Sequence, residues 1–133
     1  MFQRKIISEL RLWADSKYRK PLVLRGARQV GKSTMVKEFG KEFDVFISLN
    51  LEKPDHLAIF ESADIDISVK MIFLFAKKPL DRTKKTLLFI DEIQNSAKAV
   101  ARLRYFYEQL PEIFVIAAGS LLENLVDVKT SFP

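Results

Sequence analysis

Segment 24–39, LRGARQVGKSTMVKEF, holds two of the chain's four glycines among residue types suited to binding phosphate. Gly26 to Ser33 read GARQVGKS, a match to G-x-x-x-x-G-K-[ST]. Gly26 lets the chain leave a strand in a conformation that a Cβ resists, and Gly31 lets the backbone come close to a phosphate. The successive N–H groups of Ala27, Arg28, Gln29 and Val30 turn inward as an anion nest, and a helix starting near Lys32 adds its positive end. Lys32 brings a mobile point charge to β- and γ-phosphates. The hydroxyl of Ser33 offers a hard oxygen to Mg2+, and Thr34 completes the expected cofactor-binding set. The competing reading is a strand-to-helix turn capped by Gly and Ser.

A second constellation closes the apolar run LLFIDE, residues 87–92. Asp91 is expected where a strand delivers a carboxylate beside the phosphate loop, able to hold Mg2+ through hydroxyl or water. Glu92 is expected to reach the water opposite the γ-phosphate and orient or deprotonate it. The alternative is that these acids cap a helix over 97–110. Ser120 closes the run FVIAAGS. With that strand between those of Gly26 and Asp91, its hydroxyl points at the γ-phosphate; the alternative is a capping serine before LLENLV.

Positioning these groups needs strands that end together. Residues 2–15 place Phe2, Ile6, Leu10 and Trp13 at helical spacing, and Leu22–Leu24 after Pro21 is a short buried strand. Met35, Val36 and Phe39 continue a helix from Lys32, with Gly40 as its stop. Val45, Ile47 and Leu49 alternate in a second strand over 44–51. A short helix follows Pro54, and another begins at Asp66 and ends before Pro79. Residues 86–92 read as a central parallel strand, 97–110 as a helix stopped by Pro111, and 113–120 as a further buried strand. This alternation predicts one α/β domain over 1–133 with a parallel sheet, whose ligands bind beyond the carboxyl ends of the strands.

A length of 133 residues with 48% apolar and 29% charged residues fits one globular domain. The longest strictly apolar runs, 71–76 and 113–118, are far shorter than the ~20 residues of a membrane-spanning helix, and charges interrupt the N-terminus before a signal-peptide core forms. With no cysteine there is no disulfide framework and no thiolate metal site. No membrane partner and a cytoplasmic location are the expectations. Residues 1–43 carry 11 basic and 4 acidic residues, against 11 and 13 in the remainder. That imbalance suits phosphate or nucleic acid, or a solvated helix face.

A phosphate loop, then LLFIDE, then a polar residue closing the next strand resembles the AAA+ ATPases. The wording RKPLVLRGARQVGKST, FISLNLE, LLFIDEIQ and AAGSLLE is similar to a poorly characterised bacterial and archaeal branch carrying a further C-terminal domain of unknown function. The resemblance implies ATP and Mg2+ as ligands, with Lys32 on phosphate, Ser33 and Asp91 on the ion, Glu92 activating water and Ser120 as first sensor. It also implies that the first strand lies beside the Ser120 strand, which lies beside the Asp91 strand. The family's fifth strand, helical lid, second sensor arginine and arginine finger are not recognisable here, so the domain reads as truncated before them and hydrolysis belongs to the full-length form. An unpaired first strand then favours self-association.

The remaining residues read more plainly. His56, without a partner at ligand spacing, is expected on the surface. Trp13 reads as core packing, or else as a border to adenine. Asn50 reads as a strand-ending turn residue. The inner members of Tyr105–Phe106–Tyr107 read as core, while Arg102 and Arg104 have no assignable role. The function these readings favour is Mg2+-dependent ATP hydrolysis driving a conformational or remodelling task. Its rivals are an ATP-gated switch with negligible turnover and a nucleic-acid-binding protein.

Overall fold

The computed structural model describes residues 2–24, 32–61 and 64–119, with backbone only for 2–4 and 32. Helix α1 (Phe2–Asp15) precedes strand β1 (Leu22–Leu24) and helix α2 (Lys32–Gly40). Strand β2 (Val45–Asn50) leads into α3 (Pro54–Glu61) and α4 (Ile65–Ala76). Strand β3 (Thr86–Asp91), a 3-10 turn (Ile93–Asn95), α5 (Ala97–Ala101), α6 (Leu103–Gln109) and β4 (Ile113–Ala118) follow. All pairings are parallel and the strand order is β1-β4-β3-β2. The expected placing of β4 between β1 and β3 holds, and β1 has no strand on its outer edge among the described residues.

Side chains alternate across the sheet, so each strand feeds two cores. Leu87 and Phe89 of β3 join Leu22, Ile116 and Phe114 beneath α1 and α2, where Leu10, Val36 and Phe39 are buried. Leu88 and Ile90 join Ile47, Leu49, Val115 and Ala117 beneath α3 to α6, where Phe60, Ile72, Leu103 and Phe106 are buried. Burial on both faces explains why 87–90 and 113–118 read as continuous apolar runs. Each large side chain so buried contributes about 1.5–3 kcal/mol. Trp13 packs on the first core as expected, edge-on to Phe114, and its Nε1 donates to the Lys20 carbonyl at 2.7 Å.

Strands β2 (Val45–Asn50) and β4 (Ile113–Ala118) are shorter than the expected 44–51 and 113–120, and three further boundaries differ from expectation. The helix expected over 97–110 breaks into α5 and α6 at Arg102. There the backbone N–H is shared among carbonyls 98 to 100 and the guanidinium is drawn to the Phe60 carbonyl at 2.9 Å and Ser68 Oγ at 3.2 Å. Helix α4 is capped by Asp64 rather than begun by Asp66: Asp64 Oδ1 accepts from Ile67 N at 3.0 Å. Strand β3 stops at Asp91, since Glu92 takes left-handed backbone angles, φ 53 and ψ 45.

Candidate active site

The strands finish in one row. Leu24 pairs with Ala118, Ile90 with Ala117 and Asn50 with Asp91, so the last residues of all four strands lie side by side. From this row β1 runs into 25–31 and β4 into Gly119 and residue 120. Gly26, Ala27, Arg28, Gln29, Val30, Gly31 and Ser120 lie outside the described residues, as does the Lys32 side chain. Lys32 does open α2, as the motif requires.

Ser33 and Asp91 come together. Ser33 Oγ donates to Asp91 Oδ2 at 3.3 Å although the two are 58 residues apart in sequence. The other oxygen, Asp91 Oδ1, accepts the Glu92 backbone N–H at 2.9 Å. A hydroxyl and a carboxylate oxygen meeting where a strand and a helix face each other are the hard donors that Mg2+ accepts alongside phosphate and water. Among the described residues, no three His, Cys, Asp or Glu side chains gather as a metal cage. Thr34, next on the helix, is exposed.

Glu92, next to Asp91 in sequence, is buried, 6% exposed, and Gln94 Nε2 donates to its Oε1 at 2.8 Å. Neither acid caps the following helix. That task belongs to Ser96, whose Oγ accepts from Ala99 N at 3.0 Å and donates to Glu61 Oε2. Glu61 and its helix are tied in turn to α5, since Lys98 Nζ donates to the Glu61 carbonyl at 3.0 Å. The capping alternative for Asp91 and Glu92 therefore falls.

Sequence reading missed Gln94, Ser96 and His56. The S-x-x-A spacing before an apolar run signals Ser96 as a helix cap. Nothing in the sequence signals the other two. His56, expected on the surface, is buried: its Nδ1 accepts the Asn50 N–H at 2.9 Å and its ring packs edge-on to Phe75. The chain turns back after β2, closed by Asn50 Oδ1 accepting from Glu52 N at 2.9 Å, and this brings the ring over the strand end. Asn50 is thus the turn residue expected. Trp13 stands near the start of β4, at the opposite end of the sheet from Asp91, and does not border the row of strand ends. Arg102 serves the α3 carboxyl end, Tyr105 donates to Asp66 at 2.8 Å, Phe106 is core and Tyr107 is exposed near Lys20.

A family model described as an AAA domain matches residues 18–133. The chain belongs to that family. Two solved structures share the fold of this AAA domain. One is C. elegans PCH-2, with TM-score 0.56 and 13% identity over 99% of this chain and 42% of that one. The other is the Aeropyrum pernix ORC1 protein in complex with DNA, with TM-score 0.57 and 14% identity over 98% of this chain and 44% of that one. The AAA domain thus spans less than half the length of either structure. No curated protein matches it in sequence. Its parallel sheet, phosphate-loop motif and strand order are those of an AAA+ P-loop ATPase. No helix among the described residues is long and apolar enough to cross a membrane.

Proposed function

We propose that this protein binds ATP with Mg2+ and hydrolyses it, using the free energy for a conformational or remodelling task in the cytoplasm. The observation that carries the reading is the meeting of Ser33 Oγ and Asp91 Oδ2 at 3.3 Å, with buried Glu92 adjoining. In this reading residues 26–31 and Thr34 line the nucleotide, Lys32 neutralises the β- and γ-phosphates, and Ser33 and Asp91 hold the ion. When bound, Mg2+ supplies positive charge that offsets the charge of the phosphate oxygens. Glu92 orients the attacking water and accepts its proton, and Ser120 contacts the γ-phosphate. The buried carboxylate of Glu92 argues against an ATP-gated switch, which has no need of a proton acceptor there. Self-association through the outer edge of β1 would bring a second copy to this end of the sheet.

A second reading is nucleic-acid binding. It is favoured by the basic N-terminal third and by the likeness in fold to the A. pernix ORC1 protein, solved with DNA.

The deciding experiment measures Mg·ATP affinity and phosphate release side by side for the parent, Glu92→Gln and Asp91→Asn. Glu92→Gln keeps size and polarity but cannot take a proton, so affinity should hold while turnover falls ~10²-fold or more. Asp91→Asn should weaken binding when the metal is present and make it less dependent on Mg2+. Parental turnover in Glu92→Gln would remove Glu92 as the base, and an absence of phosphate release by the parent would remove the hydrolytic reading itself.

A further inference from the structure

Glu92 sits where the chain turns sharply off β3, in left-handed backbone angles uncommon for a residue with a Cβ. That turn carries its carboxylate into a buried position, 6% exposed, where a charged group needs donors to hold it. One such donor is the side-chain amide of Gln94, two residues on, with Nε2 at 2.8 Å from Glu92 Oε1. Resting on the hydrolytic reading, we propose that Gln94 is a positioning residue, whose amide fixes the Glu92 carboxylate in the orientation from which it addresses the attacking water.

Gln94 is itself held at both ends. It lies in the 3-10 turn, where Asn95 N donates to the Glu92 carbonyl at 3.2 Å and Ser96 N to the Ile93 carbonyl at 3.0 Å. Ile93 on one side is fully buried in the core, and Ser96 on the other is 1% exposed, capping α5 and donating to Glu61. The turn is a bracket fastened to α3 and α5, and Gln94 transmits that fixity to the carboxylate.

The amide's other end carries a second, independent observation. Gln94 Oε1 is buried and has no hydrogen-bond partner among the described residues. An ionised carboxylate only accepts, so the amide must turn its NH2 to Glu92 and leave its carbonyl over. For stability alone a methionine of the same length would be about even, because it leaves no buried carbonyl unpaired but takes one donor from the buried carboxylate. The amide at this position is explained by what it does to Glu92, not by what it does for folding.

The test is a double-mutant cycle in the intact protein, Gln94→Met with Glu92→Gln, reading Mg·ATP affinity, melting temperature and turnover. Gln94→Met should bind Mg·ATP as the parent does and melt close to it, since the relieved carbonyl offsets the lost donor, while kcat falls about 10-fold to 10²-fold, the scale of a misplaced reacting group. In the Glu92→Gln background the same substitution should change nothing further. Gln94→Asn, with the amide on a shorter arm, should lose kcat as Gln94→Met does, and it stands in should the Met variant fail to fold. Parental kcat in these variants while Glu92→Gln is inactive would overturn the proposal. So would an equal fractional loss in both backgrounds, or lost affinity with a lowered melting temperature, since those describe a structural residue. Parental turnover in Glu92→Gln would remove Glu92 as the base and this proposal with it, whereas an absence of phosphate release by the parent would mark the failure of the hydrolytic reading on which the proposal rests.

Discussion

Asp91 is held at both carboxylate oxygens, by the Glu92 N–H at 2.9 Å and by the Ser33 hydroxyl at 3.3 Å. A carboxylate so fixed presents a metal with an oxygen already in place, which limits the ordering cost of binding. Ser33→Ala removes one hard donor and also releases Asp91 Oδ2. The expected outcome is Mg·ATP affinity lowered about 10-fold to 10²-fold or more, since the loss of a direct ligand should cost at least what lost outer contacts at a metal site cost, with metal-free ATP affinity unchanged. Calorimetry with and without Mg2+ checks it; an equal loss in both would place Ser33 on phosphate rather than on the ion. Asp91, Glu92 and Ser33 are legible in sequence because acids closing an apolar run and a Gly-flanked Lys-Ser pair have few other uses. Gln94 and His56 are not, because an amide two residues beyond an acid and a lone histidine in a turn acquire partners only when the chain folds back. His56 finds the Asn50 N–H, six residues back, only through the turn that follows β2.

Elements follow the same division. Continuous apolar runs locate β1, β3 and β4, alternation locates β2, and period-3.6 patterns locate most of the described helices, because burial on the two faces of the sheet fixes which positions must be apolar. The break between α5 and α6 leaves the apolar stripe Val100, Leu103 and Phe106 uninterrupted, so periodicity passes over it; it falls at Arg102, whose guanidinium donates to the Phe60 carbonyl of α3 and to Ser68 Oγ of α4. Gly40 shows how an element's end can be set by its neighbour. It reads as a helix stop, and it is the last residue of α2, but a Cβ there would lie 2.5 Å from Cδ1 and 2.7 Å from Cγ of Phe46 on β2. Those atoms belong to the root of a partly buried ring and cannot swing clear as a chain end would. Gly40→Ala should therefore destabilise the domain by about 1–3 kcal/mol, the cost of overpacking. Urea unfolding measures it, and an unchanged or raised midpoint would mean that α2 slides on β2 without strain.

At the scale of the whole molecule, the strand order could not be read from periodicity, since nothing in one strand names its neighbours; it came from resemblance and is met by the fold. Charge is the other property of the whole, and here folding changes what composition suggests. Residues 1–43 carry 11 basic and 4 acidic side chains. Of the basic ones, Arg11 forks onto Glu42 with Nη2–Oε2 at 2.6 Å, and Lys41 pairs with Glu38 at 3.2 Å. Arg19 turns inward over the Phe114 ring and donates to the Pro111 carbonyl, and burial draws its guanidinium below the ordinary arginine value against the pull of Glu112. Lys5, Lys17, Lys20 and Lys37 are exposed. Basic residues in and beside the phosphate loop are claimed by nucleotide in the hydrolytic reading. A duplex would then meet these four lysines and Arg4, and each neutralised phosphate contributes about −0.9 to the slope of log K against log salt. With the nucleotide site filled by Mg·ADP, DNA affinity should therefore fall with a slope of only about −4 to −5. Fluorescence anisotropy of a labelled duplex across a salt series measures that slope. A slope of about −6 or steeper that persists with the site filled would require a larger basic surface than these lysines and Arg4 provide, and nucleic acid would then displace ATP turnover as the main business of the N-terminal third.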